Sequence, residues 1–340
     1  MNNHRDVGID IAKTIAMVSI IMGHLGVNSI NKVVFTYHVT LFYLVAGYFT
    51  STKLSVPQFV KHRFHTLLIP YYISSLVIIM ISMLRAVTPY ATESFSQTLY
   101  HWSFAMLYGA GGDMAGPFTI YGIGATWFLW ALFFGSIMLR FLLNIRPEVR
   151  FISVIIIFAI LAWSRRFFWF PLSIQASGAA LFFMYIGYIY RQVQDKIVSL
   201  SNEQKCLILG LMLWLWISFI HNFQSFWLVT GDCGRGIMDI IGSLAASGII
   251  LLLGSLLSHL HNPIIKFLSY FGRYTIFMLV MHIIELDTGI LRLVARTLAH
   301  STASCFYIIL LLTLELLWAF LGAYFMSKSS RIKKLFGIHC

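Results

Sequence analysis

The sequence has few charged residues for its length. Only 11% of its 340 residues are Asp, Glu, Lys or Arg, whereas 59% are apolar. A soluble domain carries roughly 25% charged residues, so this chain has too few to cover a water-soluble globule. The scarcity excludes a soluble enzyme, a disordered chain and a nucleic-acid-binding module, and indicates a polytopic membrane protein.

Proline and cysteine are also scarce. Seven prolines and the absence of low-complexity sequence exclude fibrous proteins. The four cysteines (Cys206, Cys233, Cys305 and Cys340) form no C-x-x-C motif and no Cys/His spacing typical of a metal site. We interpret them as small hydrophobic residues suited to a membrane.

Long apolar runs fill the chain instead. A membrane-spanning helix needs about 20 mostly apolar residues, and no internal repeat typical of two-half transporters is visible. The candidate spans lie near residues 8–28, 34–52, 66–84, 124–143, 151–168, 175–190, 206–222, 237–258, 264–285 and 304–326. These runs predict an all-α fold.

Lys and Arg are unequally divided between the two sides of this arrangement. With the N-terminus inside, basic residues on the cytoplasmic side outnumber those outside by about two to one. We therefore predict about ten transmembrane helices with both termini cytoplasmic. Residues 327–340 become a cytoplasmic tail and residues 85–123 a long outer loop, whose glycine-rich stretch 109–117 is either a lid or an ordinary solvated loop.

Three ionisable residues share one face of the first span. Asp10, Lys13 and His24 fall within about 60° of one another at 100° per residue. Asp10 and Lys13 are one turn apart and can pair. Ionisable residues in a span tend to face a cavity or one another, so this stripe indicates a lined cavity or channel.

Three histidines are expected at one depth near the outer side. His24 precedes the short turn at residues 28–32, His38 follows it, and His282 lies about 24 Å beyond Lys266. Glu285 is one turn from His282 and is expected to orient it. Histidine suits general-base chemistry; packing against backbone carbonyls is the alternative, and a metal site is disfavoured because no ligand spacing is visible.

At these residues the sequence resembles the acyltransferase 3 family of integral membrane acyltransferases. The first-span match is the pattern Arg5-x4-Asp10-x2-Lys13-x10-His24, with Lys13 where the family more often has Arg. Residues 37–49 resemble the second span, with Thr40 and Ala46 where Pro and Ser are usual.

The resemblance continues along the chain. Residues 63–71 resemble the Arg-x-x-Arg-Leu-Leu-x-Pro-Tyr element that enters the third span, with Thr66 in place of the second arginine. Residues 127–129 and 271–282 match later, looser landmarks. The family implies a single integral membrane acyltransferase domain over residues 1–340, a stand-alone member in the bacterial cytoplasmic membrane.

Membership implies transfer of an acyl group, usually acetyl from acetyl-CoA as cosubstrate, to a hydroxyl of an extracytoplasmic or lipid-linked glycan. Membrane lipid is the other expected partner; nucleic acid and metal are not expected. His24 would be the general base, with His38 or His282 orienting it or stabilising the oxyanion. An acetyl-histidine intermediate is an open alternative.

The remaining site residues follow from the expected topology. Cytoplasmic cations would hold the CoA phosphates, and Asp10 would orient one of them. These cations are Lys13, Lys61, Arg63 and Arg273. Aromatic and basic residues at the outer interface either anchor the protein in the membrane or bind the acceptor: Trp127, Phe128, Arg165 and Arg166.

A proton-coupled secondary transporter of a glycan or small anion is the competing function. Intramembrane His, Asp and Lys would then couple proton movement to transport. The missing repeats argue against it.

Overall fold

The computed structural model describes residues 6–88, 93–114, 118–299 and 305–338. Within these ranges there is no strand, only two isolated bridges, Ala110–Gly122 and Met114–Ile120. The α-helices are α1 (Val7–Gly23), α2 (Asn28–Val34), α3 (His38–Tyr48), α4 (Val56–Arg63), α5 (Ile69–Ala86), α6 (Phe95–Tyr108), α7 (Trp127–Leu142), α8 (Pro147–Ser164), α9 (Ala176–Val198), α10 (Asn202–His221), α11 (Ile237–Ser258), α12 (Pro263–Arg273), α13 (Thr275–Thr288), α14 (Ile290–Ala299), α15 (Cys305–Lys328) and α16 (Ser330–Leu335).

Seven helical segments in the described ranges are long and apolar enough to cross a membrane. They are Val56–Ala86, Gly124–Leu142, Pro147–Ser164, Pro171–Val198, Asn202–His221, Ile237–Ser258 and Cys305–Lys328. Helices α12 and α13, bent by 76° at their junction, give an eighth candidate if they form one broken span. The chain is therefore an all-α, polytopic membrane protein, as the sequence predicts.

The expected count of ten spans is not confirmed, because two of those segments form shorter helices. Helix α1 has 17 residues and α3 has 11, so α3 extends only about 16 Å. The expected span over 34–52 is interrupted before α3, where the Thr36 hydroxyl donates to the Val33 carbonyl at 2.6 Å and accepts from Trp216 Nε1 at 2.9 Å. These bonds satisfy polar groups freed by the interruption. The orientation of the termini stays a prediction.

Glycines allow α3 and α9 to approach each other closely. A Cβ on Gly47 would overlap the carbonyl oxygen of Met184, and a Cβ on Gly187 would overlap that of Leu44. Small residues at helix contacts permit such backbone approach in membrane proteins, where van der Waals packing drives association. On α12, Gly272 packs in the same way against the Asp10 carbonyl of α1.

Helices α8 and α10 lie at the periphery of the bundle. Only 6% of the apolar window of each is buried inside the protein. Large side chains such as Ile156 on α8 and Trp214 on α10 are exposed. A helix that is apolar and yet exposed in this way is suited to contact lipid.

One end of the bundle, which we call the histidine end, contains the connections 24–37, 165–175 and 222–236 and the turn at Gly289. It also contains the described residues of the segment between α5 and α7, which are 87–88, 93–114 and 118–123. Arg85 Nη1 donates to the Thr288 carbonyl at 2.6 Å, and the rings of Phe35 and Trp227 lie 5.0 Å apart. The expected outer loop is partly helical: α6 begins with a Ser94–Gln97 capping box. Residues 115–117 of its glycine-rich stretch are outside the described residues.

The opposite end, which we call the Arg63 end, contains the connections 49–55, 143–146 and 259–262 and residues 329–338. Buried Arg140 donates to the Leu54 carbonyl there at 2.9 Å. The expected tail folds back over this end: after α16, the buried ring of Phe336 lies 5.1 Å from that of Phe277.

Replacing Gly47 by Ala should destabilise the protein, because the added Cβ must push α9 away from α3. We expect a clear fall in the midpoint of thermal unfolding in detergent. Gly210→Ala on exposed α10, where an added Cβ meets no atom within 4 Å, is the matched control and should leave the midpoint unchanged or slightly raised. Equal midpoints for the two variants would contradict this packing.

The predicted orientation can be tested across α10. In a cysteine-free background, Asn222→Cys at the histidine end should react with a membrane-impermeant maleimide in intact cells. Asn202→Cys at the other end of the same helix should react only after permeabilisation. Both positions are exposed. The reverse labelling pattern would invert the predicted topology.

Candidate functional site

His24 is the first residue beyond the C-terminus of α1. Its Nδ1 lies 2.8 Å from the carbonyl oxygen of Ile20. A carbonyl can only accept, so this contact requires a proton on Nδ1 and leaves a lone pair on Nε2. The neutral ring is thereby held in the tautomer that a general base needs.

His282, on α13, lies against His24. Its Nε2 is 3.4 Å from His24 Nδ1, long for a hydrogen bond, and the ring centroids are 5.1 Å apart. The ring is 1% exposed, and its Nδ1 has no hydrogen-bond partner in the described part of the chain. The structure therefore joins two histidines that are 258 residues apart in sequence.

His38, the first residue of α3, repeats the geometry of His24. Its Nδ1 donates to the Val34 carbonyl at 2.7 Å, which leaves a lone pair on its Nε2. The ring is buried. His24 and His38 line the same cavity, so all three predicted histidines gather at the histidine end.

The histidine cavity has a volume of about 90 Å³ and is otherwise largely apolar. Trp127 and Phe128, at the start of α7, form part of its wall; their role in binding an acceptor stays a prediction. The remaining lining residues are Ile20, Phe35, Val39, Ala125, Phe226, Trp227, Leu228, Val229 and Leu279. Aromatic walls with a few polar groups are typical of a site that binds a small group.

Arg165 and Arg166 line a second cavity. It has a volume of about 520 Å³. Arg165 pairs with Asp232, Nη1 to Oδ1, at 3.5 Å. The turn Leu228–Thr230 stands between the cavities, since Val229 lines the first and Thr230 the second. The two arginines therefore lie beside the histidine cavity rather than within it.

Asp10 and Lys13 form the pair expected from their spacing, with Nζ and Oδ1 2.9 Å apart. Asp10 is buried where α1 packs against Gly272 of α12. Neither residue lines the histidine cavity. Residues between them and His24, such as Met17 and Ile21, are buried apolar core, so the polar stripe is divided into two separate parts.

The other predicted donor-binding cations lie toward the Arg63 end. The Arg63 guanidinium is 5.2 Å above the Phe59 ring, and its buried Nε has no hydrogen-bond partner within the described ranges. Lys61 and Arg273 are exposed. Arg273 follows Gly272, which packs against the Asp10 backbone, and its guanidinium lies 5.6 Å from the centroid of the Tyr274 ring. Arg5 of the first-span pattern lies outside the described residues.

Glu285 does not hold His282 directly. Its carboxylate instead accepts the backbone N–H groups of Leu291 at 3.0 Å and Arg292 at 3.3 Å, at the start of α14. The expectation of a Glu285–His282 contact was therefore wrong. Gly289, with φ +63, reverses the chain after α13 and brings those N–H groups to the carboxylate.

Three further ionisable residues near the histidines were missed by the sequence analysis. Arg292 Nη2 donates to the His24 carbonyl at 2.8 Å, and its Nε lies 3.8 Å from Glu315 Oε1. Asp287 has a buried Oδ2 without a partner among the described residues and packs against Gly124. The sequence could have indicated Glu315, because a carboxylate within an apolar span is unusual. Arg292 does not interrupt an apolar span and gave no such indication.

The described ranges contain no group of three His, Cys, Asp or Glu side chains close enough to hold a metal ion. The Nε2 atoms of His24 and His38 can accept a proton, and Arg292 is a nearby cation.

Comparison with known proteins gives one match, to a protein family. A family model described as an acyltransferase domain matches residues 6–327. No curated protein and no solved structure gives a significant match.

Proposed function

Because the chain belongs to the acyltransferase 3 family, we propose that it transfers an acetyl group from acetyl-CoA to a hydroxyl of an extracytoplasmic or lipid-linked glycan, with His24 as general base. The family and the spanning helices make it a multi-pass membrane acyltransferase. The donor, the acceptor, the role of the histidine and a location in the bacterial cytoplasmic membrane are the parts that we propose.

The contact between His24 Nδ1 and the Ile20 carbonyl carries the proposal, since it leaves Nε2 unprotonated. The acceptor hydroxyl gives its proton to Nε2 while its oxygen bonds to the thioester carbonyl carbon. The C–S bond then breaks, and the CoA thiolate takes the proton back from Nε2. A transient acetyl group on Nε2 would use the same lone pair.

His282 and His38 take different parts in this proposal. When His24 becomes an imidazolium, its Nδ1–H faces both the Ile20 carbonyl and the lone pair of His282 Nε2, so His282 stabilises the charged ring. His38 donates through Nδ1, and its Nε2 can only accept. We assign it the task of receiving a hydrogen bond from the acceptor sugar.

The cations toward the Arg63 end suit the donor. CoA carries phosphates, which a guanidinium binds strongly through paired hydrogen bonds. The buried Nε of Arg63 has no hydrogen-bond partner in the described part of the chain, and Lys61, Lys13 and Arg273 lie toward the same end. About 16 Å separates Lys13 from His24 along α1. Met17 and Ile21 fill that distance as buried core, so the proposal requires helices to move apart for the pantetheine arm to reach His24.

Two features of the histidine end suit a glycan acceptor. Trp127 and Phe128 lie on the cavity wall, and aromatic side chains suit contact with the apolar face of a sugar. Arg165 and Arg166 line the neighbouring cavity, and in this proposal they bind the diphosphate of a lipid-linked acceptor, because guanidinium groups bind phosphate strongly.

His24→Ala should abolish transfer while the protein still inserts and folds. General-base loss typically costs about 10²–10⁴ in rate. The measurement is release of free CoA thiol from acetyl-CoA in the presence of cell-envelope glycan. His221→Ala, an exposed histidine at the end of α10, is the control and should keep normal activity. Normal transfer by the His24 variant would refute the general-base assignment.

Arg63→Ala should weaken binding of acetyl-CoA, because a charge-assisted phosphate contact is lost. We expect a rise in Kd of about tenfold or more, from the roughly 1.5–3 kcal/mol of a hydrogen bond to a charged group. Titration calorimetry measures it, and Lys53→Ala, an exposed cation at the same end, is the control. If acetyl-CoA neither binds nor raises the unfolding midpoint of the unmodified protein, a transporter becomes the better reading.

A further inference from the structure

A closed ring of contacts surrounds His24. The ring of His24 touches His282, and Glu285 lies one turn further along the same helix α13. The Glu285 carboxylate accepts the backbone N–H of Arg292, and the Arg292 guanidinium returns to donate to the His24 carbonyl. Helices α1, α13 and α14 are therefore linked by contacts that meet at His24.

The acceptor of that last bond is the backbone of His24 itself. Helix α1 ends at Gly23, so the carbonyl groups of its last turn have no partner within the helix. Arg292 Nη2 satisfies the His24 carbonyl at 2.8 Å. The position of the His24 backbone is therefore set by a side chain from α14, while its ring is set by Ile20 and His282.

Glu315, on α15, supplies the opposite charge. Its side chain is 1% exposed and ends 3.8 Å from Arg292 Nε. Neither carboxylate oxygen has a hydrogen-bond partner within the described ranges. A carboxylate inside an apolar helix is costly, and its nearby partner is the guanidinium that holds His24.

The geometry points to Arg292 as a positioning residue for the acyl transfer, held in place by Glu315. This inference rests on the proposed role of His24. Arg292 does not line the histidine cavity, so it acts through His24 rather than on the substrates. Its task is to keep the end of α1 where the His24 ring meets His282 and the cavity.

Positioning is expected to affect the chemical step more than binding. A base displaced by about 1 Å can lose about 10²-fold in rate. The substrates, in contrast, are proposed to contact the Arg63 end and the aromatic wall. Loss of Arg292 should therefore lower kcat and leave the KM values nearly unchanged.

The test compares Arg292→Met, Arg292→Lys and Arg296→Ala in purified protein, with free CoA thiol as readout on acetyl-CoA and cell-envelope glycan. We expect kcat of Arg292→Met to fall about tenfold or more, with both KM values within about twofold of the unmodified protein. Arg292→Lys keeps a donor and a positive charge and should recover part of kcat. Arg296→Ala, an exposed arginine one turn along α14, should behave as the unmodified protein.

A double variant separates positioning from charge compensation. Arg292→Met leaves Glu315 buried without a counter-charge and should lower the unfolding midpoint. Adding Glu315→Gln removes that charge, so the midpoint should recover. Since the bond to the His24 carbonyl is still missing, kcat should stay low.

Recovery of kcat together with the midpoint in the double variant would overturn the inference, because Arg292 would then only stabilise the fold. A normal kcat in Arg292→Met, or a change confined to KM, would overturn it as well. Failure of the proposed function is distinguishable: it would appear as normal transfer by His24→Ala, whatever the Arg292 variants do.

Discussion

The hydrogen bond from His24 Nδ1 to the Ile20 carbonyl decides what this site can do. In an apolar surrounding, a ring nitrogen at 2.8 Å from a carbonyl must carry a proton. Nε2 then carries the lone pair and can act as a base. The neighbouring groups contact Nδ1 and the backbone of the same residue. His282 faces the protonated nitrogen, and Arg292 holds the residue's backbone. Without the Ile20 contact, neither the His282 contact nor the Arg292 hydrogen bond would favour one tautomer of His24.

The scaffold places this histidine by close helix packing. Glycines on α3, α9 and α12, such as Gly47 and Gly272, bring backbones into direct contact. The hydrophobic effect contributes little to helix association within lipid. Van der Waals contact and buried hydrogen bonds stabilise the association instead. The peripheral helices α8 and α10 contribute few buried side chains. The contacts that position His24 are therefore concentrated where α1 packs against α3, α11, α12 and α13.

Sequence reasoning succeeded where membrane energetics alone decides the outcome. Polar groups in apolar helices must find partners, so the Asp10–Lys13 pair and the gathering of three histidines could be predicted. It failed for Glu285, because helical spacing says which residues share a face but not which neighbouring element approaches that face. Helix α14, whose N–H groups occupy Glu285, had no place in the expected ten spans.

The sequence by itself determined that this is a helical membrane protein with ionisable residues grouped in its first helix, and its motifs indicated the family. Composition and spacing suffice for that, since water and lipid act on each segment locally. Only the tertiary structure decided that the polar stripe divides into two parts and that Arg292 reaches His24. Those outcomes depend on contacts between segments far apart in the chain, and such contacts are set by how whole helices pack.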